Sequence, residues 1–129
     1  MQYVPLVGRI LFSAIFIMFG LGHFAQTQMM VDNIVPAYLP APTLVVWVTG
    51  AMIVSGGVMV LLGYRARLGG LLIASFLIPV ALMVHFPGFL EGNQVDTANF
   101  MKDMALAGGA LLIYYFGAGP KSLDAKSAA

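Results

Sequence analysis

Asn99-Phe-Met-Lys-Asp-Met-Ala-Leu-Ala-Gly-Gly-Ala-Leu-Leu-Ile-Tyr-Tyr-Phe-Gly-Ala118 is the stretch on which the reading of this chain turns. It is almost wholly apolar and has the length of one bilayer crossing, about 20 residues for a helix. Its first turns nevertheless carry Asn99, Lys102 and Asp103. Charges at the mouth of a membrane helix are costly to bury and are rarely idle. Asn99 stands three residues before Lys102 and four before Asp103, so the three share one helical face.

The rest of the chain is of the same kind. Of its 129 residues 60% are hydrophobic and 9% charged, against about 25% charged in soluble domains. Mean hydropathy is +0.94. Such a chain has room for four spans and little else. The expected architecture is all-α: a single transmembrane domain over residues 1-129, an integral membrane antiparallel four-helix bundle. Its helices are expected at about 5-23, 44-62, 68-85 and 99-118, with 119-129 a frayed polar tail. There is no cysteine, which excludes disulfides and thiolate sites within the chain. A net charge of +1 with no basic run argues against a nucleic-acid partner. The N-terminal apolar run is long, barely basic at its flank and without a small-x-small cleavage site, so it reads as a retained helix.

Pro5 suits a first helical turn. Phe12, Phe16, Phe19 and His23 recur at helical spacing as one stripe, read as packing or lipid contact. Between the first two spans lie Met29-Met-Val-Asp-Asn-Ile-Val35 and Pro36-Ala-Tyr-Leu-Pro-Ala-Pro42. The prolines forbid one continuous helix, and the apolar content predicts an outer-side interfacial loop with a short helix. Ala51 and Ser55 with Gly56-Gly57, Gly70 with Ala74, and Ala105 with Gly109 predict close helix approach. Pro79 predicts a kink in the third span.

Charge predicts the sidedness. In an up-down bundle Arg9, Arg65, Arg67, Lys121 and Lys126 share a side with Asp124 alone. Lys102 shares the other with Asp32, Glu91, Asp96 and Asp103. The excess of Lys and Arg places the first side, and both termini, in the cytoplasm. His23, His85, Asn99, Lys102 and Asp103 then gather near the outer leaflet, on facing helices that suit a ligand site. The plainer alternative is that the histidines bond loop carbonyls and the charges are interfacial, with Asp103 favoured by a helix N-terminus. No metal site is expected, since two histidines on different helices are a weak ligand signal. A serine hydrolase is disfavoured because no serine is expected near this end. Arg9 is expected at the inner interface in a structural role, snorkelling to headgroups rather than bonding a carbonyl of a neighbouring helix.

These residues together resemble the DoxX family of small four-helix bacterial membrane proteins. The matching parts are Gly8-Arg9, Gly20-Leu-Gly-His-Phe24, Pro36–Pro42, Gly50 with Gly56-Gly57, His85-Phe86, and Asn99 through Gly109. The resemblance implies a bacterial cytoplasmic (inner) membrane protein tied to redox chemistry, since relatives resemble subunits of quinol oxidases and of thiosulfate:quinone oxidoreductases. Members often carry an acid in the second span a few positions after the glycine matching Gly50; this chain has Ala51-Met-Ile-Val54 there. The expectation is a redox-associated subunit that binds a quinone or similar flat lipophile, with the lipid bilayer and a redox protein as partners. His23 or His85 would donate to a quinone carbonyl, Lys102 would stabilise a reduced oxygen, and Asp103 would hold Lys102 or accept a proton. The alternative is a non-catalytic membrane scaffold or assembly factor, for which the small-residue faces and the missing acid argue. A proton-coupled exporter fares worse, for want of a mid-membrane acid. Exposed small-residue faces permit a homo-oligomer. The residues specify no catalytic reaction.

Overall fold

The structure, a computed structural model, describes residues 1–129. It contains helices and turns only. Helix α1 is Val4–Ala25, α2 Thr27–Asn33, α3 Pro42–Leu62 and α4 Ala66–Val80. A π-helical turn at Ala81–His85 continues into α5, Phe86–Leu90. Helix α6 is Gln94–Phe116 and α7 is Leu123–Ser127. Three helical stretches are long and apolar enough to cross a membrane: Val4–Ala25, Pro42–Leu62 and the composite Ala66–Leu90. Helix α6 is as long, at 23 residues, but carries Asp96, Lys102 and Asp103.

The long helices pack in series, α1 on α3, α3 on α4 and α4 on α6. Helices α1 and α6 meet through side chains: Phe12 lies against Gly109, and Lys102 sits above the Phe19 ring. The core between them is Phe16, Ile53, Val60, Ile73, Leu77 and small residues such as Ala107 and Ala110. Leu11, Met18, Leu21, Leu44, Val48 and Leu112 point outward and are exposed, as lipid-facing residues are.

Glycines set the approach of the backbones. A Cβ on Gly56 would come within 3.0 Å of the Gly69 carbonyl oxygen, and one on Gly70 within 2.6 Å of the Ala110 carbonyl. Gly57 lies on Ile17 and Gly50 on His23. Close approach by α3 is therefore made by Gly50 and Gly57 toward α1 and by Gly56 toward α4. Ala51 and Ser55, expected to share it, are exposed, and the Ser55 hydroxyl donates to the Ala51 carbonyl at 2.6 Å. Gly70 and Ala74 are buried as expected.

The first connection folds as α2 followed by a turn at Pro36–Leu39. The Trp47 indole donates to the Thr27 hydroxyl at 3.2 Å and ties α2 to α3. The third span runs past His85 to Leu90. Pro79 and Pro87 each lack the N–H that would reach four residues back and crowd that carbonyl; the wide π-turn lies between them.

At the other end the last residues, expected as a frayed tail, are folded. Ser122 caps α7, accepting from Ala125 N at 3.1 Å. Asp124 accepts the Arg65 and Ala66 N–H groups at 2.7 and 2.9 Å, and so caps α4 from outside. That cap supports Arg65 at φ 48°, an unusual value for a non-glycine residue. Arg9 does not snorkel. It is 4% exposed and donates from Nη2 to the Lys121 carbonyl at 2.6 Å. A buried guanidinium needs acceptors, and the folded C-terminal segment supplies one.

Candidate functional site

Helix α6 begins five residues before the expected position, and the reason is Asn93. Its backbone is extended, and its side-chain oxygen accepts from the N–H groups of Val95 and Asp96 at 3.0 and 3.1 Å, an N-cap. From that start Asp96, Asn99 and Asp103 fall three and four residues apart, on one face. That face meets His85, the last residue of the π-turn.

Both nitrogens of the His85 ring face carboxylates. Nδ1 is 3.1 Å from Asp96 Oδ1 and Nε2 is 3.7 Å from Asp103 Oδ2. Lys102 Nζ lies 3.5 Å from Asp103 Oδ1 and 5.7 Å from the centre of the Phe19 ring. Side-chain exposure falls from 30% at Asp96 through 16% at His85 to 7% at Asp103, so the chain of groups runs inward from water. Asp103 is the costly member to bury, and it is held by a cation on one side and an imidazole on the other.

His23 forms a second polar pole. Its Nδ1 lies 2.8 Å from the Phe19 carbonyl. A carbonyl only accepts, so Nδ1 carries the hydrogen, which leaves Nε2 as the free ring nitrogen, an acceptor in the neutral form of the ring. The ring stands edge-on to Phe76 at 5.8 Å. Gly50 makes room for it: a Cβ there would lie 2.7 Å from His23 Cβ.

All five predicted residues, His23, His85, Asn99, Lys102 and Asp103, line one cavity of about 690 Å³. Its remaining wall is mostly apolar, with Phe19, Phe76, Met83 and Leu106 among the lining residues. Volume, apolar walls and a few convergent polar groups are what a small-molecule pocket requires. The five are not one cluster: ion pairs link His85, Asp103 and Lys102, while His23 stands apart from them. Sequence reasoning missed Asp96, although Asn93 as a cap and the three-residue step to Asn99 both pointed to it. It also missed Ser75, which lines the cavity but makes no hydrogen bond with either histidine. No group of three or more His, Cys, Asp or Glu side chains is disposed to hold a metal ion.

Membrane-length apolar helices around a largely apolar cavity with a few polar groups define a small multi-span membrane protein with an internal cavity. The chain belongs to the DoxX family, which it matches over residues 4–86. It is 33% identical over 123 residues to inner membrane protein YqjF of Escherichia coli (strain K12), covering 92% of this chain and 88% of that protein. It is 28% identical over 121 residues to inner membrane protein YphA of the same organism, covering 92% and 86%. No solved structure matches the chain. The family match ends at Phe86, so Asn99–Gly109, the motif that carries most of the site's charge, lies beyond it.

Proposed function

We propose that this DoxX protein is a redox-associated subunit of the bacterial inner membrane that binds a quinone, or a lipophile of that shape, in the cavity between α1, α3, α4 and α6. The observation that carries the reading is the pairing of a donor pole and an acceptor pole inside apolar walls. Lys102 suits a quinone carbonyl, as a charged donor. His23 Nε2 suits a quinol hydroxyl, as an acceptor. His85 is engaged by two carboxylates, so its role is to hold Asp103 and thereby Lys102, rather than to donate to the ligand itself. Aromatic faces at Phe19 and Phe76 suit a flat ring. The chain has no cysteine, so thiol electron transfer falls to a partner protein.

The charge distribution supports an orientation with both termini in the cytoplasm. The cavity and α2 then lie toward the outer leaflet, and the fourth crossing is α6.

The test is a titration with a short-tailed quinone, read by quenching of Trp47, the chain's one tryptophan, which neighbours Val46 on the cavity wall. Removing a charge-assisted hydrogen bond costs about 1.5–3 kcal/mol. Lys102→Ala is therefore expected to weaken binding at least tenfold, and His85→Ala to weaken it less. Full affinity in both variants refutes this assignment.

The second reading is the scaffold. Gly108 on α6 has nothing within 4 Å of where a Cβ would stand, and Ala105 beside it is exposed, which leaves a small-residue face free for another helix. A protein that ignores added quinone and co-purifies with another membrane protein favours this reading.

A further inference from the structure

A second cavity, of about 450 Å³, lies at the opposite end of the helices. Arg65, Arg67, Phe116, Gly117, Ser122 and Asp124 are among its lining residues. Its charge is positive on balance, with Arg65 and Arg67 set against Asp124 alone. The chain's ion pairs are all at the other cavity, so neither Arg65 nor Arg67 has a carboxylate partner. Asp124 is the one acid in the wall, and each of its two oxygens accepts one backbone N–H, from Arg65 and Ala66. A third guanidinium backs the site: Arg9 Nη1, Ser122 Cβ and Ala118 Cβ all converge on Gly63. Arg9 is 4% exposed, and its Nε and Nη1 have no hydrogen-bond partner. Three guanidiniums around one carboxylate leave a net positive site, which suits an anion.

The surroundings say which anion. Tyr64, Tyr114 and Tyr115 are exposed at this end, and Phe116 beside the arginines is 70% exposed. Aromatic side chains of this kind sit at headgroup level. Guanidinium forks bind phosphate oxygens in pairs, and an apolar ring next to them suits the start of an acyl chain. We propose that Arg65 and Arg67 hold the phosphate of an anionic phospholipid, with Phe116 against its glycerol and upper acyl region. The site is separate from the quinone cavity, so either assignment can fail without the other.

Native mass spectrometry of the full chain, released from nanodiscs of equal phosphatidylglycerol and phosphatidylcholine, tests this. Wild type is expected to retain phosphatidylglycerol preferentially. Arg65→Gln with Arg67→Gln is expected to cut that preference roughly thirtyfold, the ratio for two basic side chains at an anionic surface. Arg65→Lys with Arg67→Lys keeps the charges but loses the paired guanidinium donors, so it should keep part of the preference that the glutamine variant loses, which separates loss of the site from loss of the fold. Lys126→Gln, outside the cavity, should change nothing. Equal retention of both lipids by wild type, an undiminished preference in the glutamine variant, or an equal loss in Lys126→Gln would overturn the proposal. Displacement of the lipid by millimolar inorganic phosphate would overturn it in favour of a free-anion site.

Discussion

Gly70→Ala tests how the α4–α6 contact supports the pocket. The new methyl would stand 2.6 Å from the Ala110 carbonyl oxygen and 2.9 Å from the Tyr114 nitrogen. Both are backbone atoms of α6, so no side-chain rotation relieves the clash. The helices must part by roughly 1 Å to restore ordinary contact. Overpacking of this kind costs about 1–3 kcal/mol. The same movement carries Asp96 and Asp103 away from His85, whose Nε2–Oδ2 distance is already 3.7 Å. Gly108→Ala is the matched control, since nothing lies within 4 Å of its new methyl; the helix preference for Ala makes it neutral or up to about 1 kcal/mol stabilising. Reversible unfolding in mixed micelles, by titration with sodium dodecyl sulfate, measures both. If Gly70→Ala unfolds no earlier than Gly108→Ala, the helix approach described for α4 and α6 is wrong.

Asn93→Ala removes the cap of α6 and is expected to cost about 1 kcal/mol, with faster hydrogen exchange at Val95 and Asp96 and weaker quinone binding through loss of the Asp96–His85 contact. Asp124→Ala leaves two α4 N–H groups without acceptors and should cost about 0.5–2 kcal/mol, read in the same unfolding assay. Arg9→Leu removes a buried charge that is only partly bonded; global stability is expected to change little, while residues 118–128 become sensitive to protease. A protease-resistant C-terminus in Arg9→Leu would show that the Lys121 carbonyl contact does not hold this segment.

The helices were legible because their apolar runs are longer than any soluble core element needs, and the turns because Gly63 and the Pro36–Pro42 run punctuate them. The gathering of His23, His85, Asn99, Lys102 and Asp103 followed from antiparallel order alone. What escaped depended on side-chain geometry. The start of α6 hung on one Asn93 oxygen, and with it the place of Asp96. The packing face of α3 could not be told from Ala51 and Ser55, because Gly56-Gly57 sits next to them and a one-residue step changes the face. The sequence suggests a snorkelling Arg9 because the acceptor it uses lies on a segment 112 residues away, whose short polar run by itself suggests a frayed tail. The engagement of His85 by two acids required the π-turn, which no spacing rule foretells.

The central claim is that the cavity between α1, α3, α4 and α6 holds a quinone-like lipophile. Purification in mild detergent, lipid extraction and native mass spectrometry of the intact protein test it most directly. The account predicts a stoichiometric quinone that is lost in Lys102→Ala. A protein that emerges empty and takes up no added quinone would contradict it.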